Sequence, residues 1–157
     1  MMILILLAKL FLFLFPLVIL LALIEYKKPL TRLVLKLATP HLKKLKAKSL
    51  NTPSPFELTD SSLWIAESAN TYALKDIRPR APHHYLIISK QRINTSLDAQ
   101  PELLAEMLVL CQTVAQNTGI KEDGFRIVIN TNPQGMQTVY HLHMHLIGGR
   151  QLGLSIG

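Results

Sequence analysis

The alternation of apolar and polar positions changes its rhythm along the chain, and each rhythm predicts a different element. Residues 1–24, "MMILILLAKLFLFLFPLVILLALI", are apolar apart from Lys9 and carry one proline, Pro16. As a helix this stretch extends about 36 Å at 1.5 Å per residue, enough to cross a hydrocarbon core of roughly 30 Å. A single transmembrane helix is therefore expected over residues 1–26. A cleaved secretory signal fits less well: no basic region precedes the apolar run, and no small-x-small site precedes "EYKK". From residue 29 to 50, Leu and Val alternate with Lys and Arg. Leu30, Leu33, Val34 and Leu37 make one helical face, and Pro40 interrupts it. This reads as a basic juxtamembrane linker over residues 27–55, either solvated or lying as a short helix on the membrane surface. "NTPSP", Asn51 to Pro55, closes it with turn-forming residues.

Beyond residue 56 the rhythm shortens, which marks a globular domain over 56–157. "LWIAE" (Leu63 to Glu67) and "TYALKD" (Thr71 to Asp76) predict two strands, with Ser68, Ala69 and Asn70 turning between them. The prolines of "IRPRAP" resist helix. "HHYLIISK", His83 to Lys90, is β-branched enough for a central strand. From Asp98 to Thr118, Leu103, Leu104, Met107, Leu108, Cys111, Val114 and Ala115 keep helical spacing. Pro101 suits the first turn of that helix, and Gly119 suits the position past its end. "FRIVIN", Phe125 to Asn130, is a strand, "TNPQG" a loop, and "HLHMHLIGG" a strand ending at Gly148-Gly149. Strands, one main helix and more strands make an α+β domain with a largely antiparallel sheet, preceded by the single transmembrane helix.

Charge sharpens the linker's reading. The chain of 157 residues has a formal charge of +7. Residues 1–50 hold nine Lys or Arg against Glu25, giving +8, and the other 107 hold eight basic and nine acidic side chains, giving −1. The basic excess is thus local, and nucleic acid is not an expected partner. A basic run just after an apolar span marks the cytoplasmic side, where anionic lipid attracts it. The expected localisation is a single-pass membrane protein with its catalytic domain in the cytoplasm. The one cysteine, Cys111, falls on the helix's apolar stripe and reads as a buried thiol.

Half of the six histidines lie in one five-residue stretch: His141, His143 and His145. In a strand, residues two apart share a face and stand about 6.6–6.8 Å apart, so the three imidazoles form a row on the outer face. Leu142, Met144 and Leu146 point into the core. Two chemistries compete for such a row. One is metal binding, with His84 completing a site. The other is nucleophilic catalysis, in which a neutral imidazole attacks phosphorus. Neighbouring imidazoles keep one another from all being protonated, so one stays neutral while another carries a proton.

Three motifs in order resolve the choice. "DIRPRAPHHYLIISK", "FRIVIN" and "QTVYHLHMHLIGGRQ" resemble the histidine-triad (HIT) hydrolase family over about residues 63–152, and within it the Hint branch of purine nucleoside phosphoramidases. The resemblance implies hydrolysis at the α-phosphate of a purine nucleotide, a nucleoside 5′-phosphoramidate or acyl-adenylate, through a nucleotidyl-histidine. It makes His143 the nucleophile, His145 the phosphate-binding partner, His141 a brace, and His84 a support from the neighbouring strand. It places Asp76 on the ribose hydroxyls, Ile77 and Leu74 along the nucleobase, and Asn130, Gln137 and Thr138 at the phosphate or leaving group. It implies a homodimer and requires neither metal nor other cofactor. Thr138 stands where Hint relatives have serine, Met136 where they have glycine, and Leu74 where they have a larger aromatic. The alternatives are a dinucleoside polyphosphate hydrolase and a catalytically weak, membrane-tethered nucleotide-binding module.

Overall fold

The computed structural model describes residues 33–34 and 36–153. The expected membrane span, residues 1–26, lies outside the described residues. Among those described, no helix is long and apolar enough to cross a membrane. Chain contacts divide the molecule into two compact units, residues 1–41 and 42–157. In the first, residues 36–41 are helical, Pro40 included, so the expected interruption is not seen in the backbone there. The second unit takes in residues 42–55 as well as the stretch from residue 56 on. Residues 42–50 are helical (α1), Leu42 is buried, and Ser54 beyond the helix is buried too.

Five strands form one antiparallel sheet in the order β1-β2-β3-β5-β4. They are β1 (Ala66–Glu67), β2 (Thr71–Lys75), β3 (His83–Ser89), β4 (Phe125–Val128) and β5 (His143–Gly148). The first is shorter than expected, because Ser61–Leu63 forms a 3-10 turn capped by the Asp60 carboxylate on Ser62 N–H. The last also starts later than expected: the ladder begins at His143, and His141 precedes it. Helix α2, Pro101–Asn117, lies between β3 and β4 in sequence, and Gly119 (φ +75) ends it in the left-handed region that favours glycine.

The period-2 pattern of β5 divides the sheet's faces. Leu142, Met144 and Leu146 join Ala73, Tyr85 and Ile87 against the buried stripe of α2, Met107, Leu110, Cys111, Val114 and Ala115. Each large side chain buried there stabilises the fold by about 1.5–3 kcal/mol. Cys111 is fully buried, and burial pushes its thiol pKa up to about 12. It is an inert core thiol. On the opposite face a smaller cluster, Tyr72, Leu74, Leu86 and Ile88, packs with Phe56 and Trp64. The register sets His143 opposite Ile88 and His145 opposite Leu86 on that face.

Candidate active site

The histidine row does not lie on an open surface. His141 is 1% exposed and His143 8%, while the His145 side chain is 20% exposed. Phe56 closes the row, its ring edge-on to His141 (5.6 Å between centroids) and to His143 (5.2 Å). No periodicity announced Phe56, because it follows a turn-rich segment. His143 and His145 stack edge to face at 5.1 Å, and His84 approaches His145 at 5.2 Å.

Hydrogen bonds fix each ring's tautomer. His143 Nδ1–H donates to the His141 carbonyl, two residues back, at 2.7 Å, which leaves the Nε2 lone pair bare. Arg80 N–H donates to His84 Nδ1 at 3.2 Å, so the His84 proton sits on Nε2 and is given to His145 Nδ1 at 3.0 Å. His145 is then left with its proton on Nε2, which lies 3.5 Å from Asn130 Nδ2, so the Asn130 carboxamide accepts that proton only with its oxygen turned inward. His141 Nε2–H donates to Ser89 O at 2.7 Å, and its Nδ1 is buried without a partner.

Burial is the largest cause of a common electrostatic effect: all four rings are pushed below the usual imidazole pKa. His145 reaches about 4 because burial and then the neighbouring His143 and His84 disfavour its charged form, against the pull of Asp76. At neutral pH the free site thus presents neutral imidazoles, with the lone pair of His143 Nε2 unengaged.

Asp76 lies at the edge of this group. Its N–H extends the β2–β3 ladder to His84 O at 3.0 Å, and its Oδ1 accepts from Arg78 N–H at 2.7 Å. Oδ2 lies 3.4 Å from His84 Nε2 and 4.0 Å from His145 Nδ1. Each carboxylate oxygen has two lone pairs, so acceptor capacity remains for a diol. Asp76, His84 and His145 also have ligand atoms within 4.8 Å of one another. They could hold a divalent cation only by breaking the His84–His145 hydrogen bond.

The other expected contacts are placed less uniformly. Leu74 is buried in the Phe56–Trp64 cluster, whereas Ile77 is 91% exposed. Gln137 is buried, and its carboxamide braces the loop: Oε1 accepts from Asn132 N–H, and Nε2 donates to Asn94 O and Val139 O. Thr138 is exposed on the same loop. Met136, the residue in the glycine position, holds φ +59 and is 46% exposed. A residue that sequence reasoning missed enters here: Lys46 Nζ donates to Asn132 Oδ1 at 2.8 Å. It was hidden within a basic run that read as solvated or membrane-facing.

The family profile of the HIT domain matches residues 58–152. A purine nucleoside phosphoramidase of Escherichia coli (strain K12) is 48% identical over 84 residues, 52% of this chain and 71% of that protein. The adenylylsulfatase HINT1 of Arabidopsis thaliana is 41% identical over 98 residues, 59% of this chain and 66% of that protein. Among solved structures, a HIT family hydrolase from Legionella pneumophila superposes with a TM-score of 0.58 at 40% identity, covering 72% of this chain and 96% of that one.

Proposed function

Since the chain belongs to the HIT domain family and is a hydrolase, we propose that it cleaves the α-phosphate bond of purine nucleoside phosphoramidates or acyl-adenylates through a nucleotidyl-His143 intermediate. The observation that carries this reading is the bare Nε2 of His143, left unprotonated by the hydrogen bond from Nδ1–H to the His141 carbonyl. When Nε2 bonds to phosphorus the ring becomes cationic, and that same hydrogen bond becomes charge-assisted and stronger. An anionic phosphate beside His145 raises the pKa of its ring. Protonated His145 then gives its proton to a leaving amine. In the second step a water attacks the adduct, its proton returns to His145, and the His143 lone pair is restored.

The names of two relatives, a phosphoramidase and an adenylylsulfatase, support a nucleoside 5′-phosphate with a variable leaving group. Asp76 is then the acceptor for the ribose hydroxyls, and Leu74 and Ile77 border the base. Two further parts belong to the reading. Residues 1–26 anchor the chain to a membrane in a single pass, with the catalytic domain in the cytoplasm; their apolar run and the basic residues after it support this. The domain works as a homodimer, supported by β4, which pairs on one side only, and by Leu108 and Val109 exposed on α2.

Turnover of an adenosine 5′-phosphoramidate and of a diadenosine polyphosphate, compared on purified full chain, tests the substrate class. The phosphoramidate is the better substrate, and His143→Ala abolishes its turnover while nucleotide still binds. Preference for the dinucleotide, or undiminished turnover by His143→Ala, overturns the reading.

A further inference from the structure

We propose that Lys46 sets leaving-group specificity, its ammonium supplying the fixed positive charge that receives an anionic leaving group as it departs from the α-phosphorus. The proposal rests on the reading of the triad as an α-phosphate hydrolase.

Lys46 is not one of the solvated lysines of its helix. Leu42, Leu45, Lys46 and Ser49 recur at helical spacing and are buried or half-buried, while Lys43, Lys44, Ala47 and Lys48 are exposed. The helix end is clamped to the domain. Arg92 Nη2 donates to Ser49 O at 2.6 Å and Nη1 to Thr52 O at 2.8 Å. Tyr140 N–H, one residue before His141, donates to Ser49 Oγ at 3.0 Å. On this support the Lys46 ammonium lies 5.2 Å from the centroid of the buried Tyr140 ring and donates one hydrogen bond, to Asn132. An ammonium has three donors. Among the described residues no carboxylate pairs with Lys46.

Its place in the loop gives that charge a use. Asn132 lies two residues after Asn130, whose carboxamide is 3.5 Å from His145 Nε2. The loop then returns through Gln137 to the triad strand. Asn132 holds φ 62 and ψ 176, a conformation that residues other than glycine keep only where their surroundings over-determine it. Lys46 and Gln137 are those surroundings. In the free site the triad is held neutral by burial, and His145 becomes charged only beside bound phosphate, so the Lys46 ammonium is the charge already present on this loop.

Two kinds of leaving group make opposite demands. In both, a bond forms from His143 Nε2 to phosphorus as the bond to the leaving atom breaks, and the electron pair departs with that atom. Sulfate, carboxylate or phosphate leaves as an anion, takes no proton, and is stabilised by a nearby cation. An amine takes the proton from His145 and has no need of Lys46.

The test compares wild-type full chain with Lys46→Gln, which keeps a donor for Asn132 without the charge, and Lys46→Arg, which keeps the charge. With adenylyl sulfate as substrate, Lys46→Gln lowers kcat/KM about ten- to hundredfold, the range of one charge-assisted hydrogen bond, and Lys46→Arg recovers most of it. With adenosine 5′-phosphoramidate the Lys46→Gln loss is at least about tenfold smaller than with adenylyl sulfate. Equal losses on both substrates, or no loss on either, overturn the proposal. Binding provides a second measurement that needs no turnover. Lys46→Gln weakens α,β-methylene ADP about tenfold or more, by the same reasoning, and leaves AMP unaffected. If the wild type consumes neither substrate, the hydrolase reading fails, and the binding ratio alone decides the role of Lys46.

Discussion

His141→Ala separates a structural histidine from its two chemical neighbours. Ser89 N–H donates to Leu142 O at 3.2 Å, so the ladder should return a bond from Leu142 N–H to Ser89 O. Instead Leu142 N–H turns to Ile93 O at 2.6 Å, and the His141 side chain takes the Ser89 carbonyl at 2.7 Å. Ser89 is fully buried, so alanine at 141 leaves that acceptor without a partner or water, which costs about 1–3 kcal/mol. The lost ring also leaves a cavity beside Phe56, for which about 2 kcal/mol is reasonable against the 3–5 of a larger Phe→Ala change. Losing the orphaned Nδ1 returns about 1 kcal/mol. The net loss is about 2–4 kcal/mol, or a fall in Tm of roughly 10–30 °C for a domain near 100 residues. The His143 tautomer depends on the 141 carbonyl, which alanine retains, so the folded variant keeps its catalytic step. Thermal melts and kcat at a temperature where the variant is folded check both halves. A Tm close to wild type with activity abolished would refute the reasoning.

Acid sensitivity follows from the neutral triad. Burial lowers the folded-state pKa of all four histidines below the unfolded 6.5, so below that pH the unfolded chain binds more protons. The stability they contribute is full above pH 6.5 and is lost as pH falls toward about 4, where His145 itself protonates; urea midpoints from pH 7.5 to 4 should fall across that window, and a flat profile contradicts it. Gly149→Ala drives a Cβ into the His83 ring and to 3.3 Å from Pro82 Cβ at φ +82, so it destabilises by about 1–3 kcal/mol in denaturant titration. Met136→Gly acts oppositely: it relieves a left-handed backbone at φ +59 and raises stability by up to about 1 kcal/mol, read as a shifted urea midpoint with unchanged slope.

The β-strands and the helix were legible where one period held over several residues. Leu142, Met144 and Leu146 announced a core face, and α2 announced itself by spacing, Pro101 and Gly119. Local pattern could not say that the opposite face is covered, because the cover, Phe56, comes from a turn-rich segment far away in sequence. Nor could strand alternation distinguish the three histidines. His141 differs because the ladder breaks beside it, a long-range consequence of Leu142 pairing with Ile93. Lys46 was illegible for a related reason: in a run of lysines, only the docked helix shows which one turns inward. Gln137, placed at the phosphate or leaving group by the resemblance alone, is buried with its carboxamide bonded to Asn132, Asn94 and Val139, partners that no local pattern announces.

The central claim is that His143 Nε2 bonds transiently to the nucleotide's phosphorus. The most direct measurement is rapid quench during turnover of a nucleotide labelled at its α-phosphate, followed by mapping of the modified residue. The account predicts label on His143, rising before product reaches its steady rate and absent from His143→Ala. Product released with no label on the protein at any time, or label on His145 instead, contradicts it.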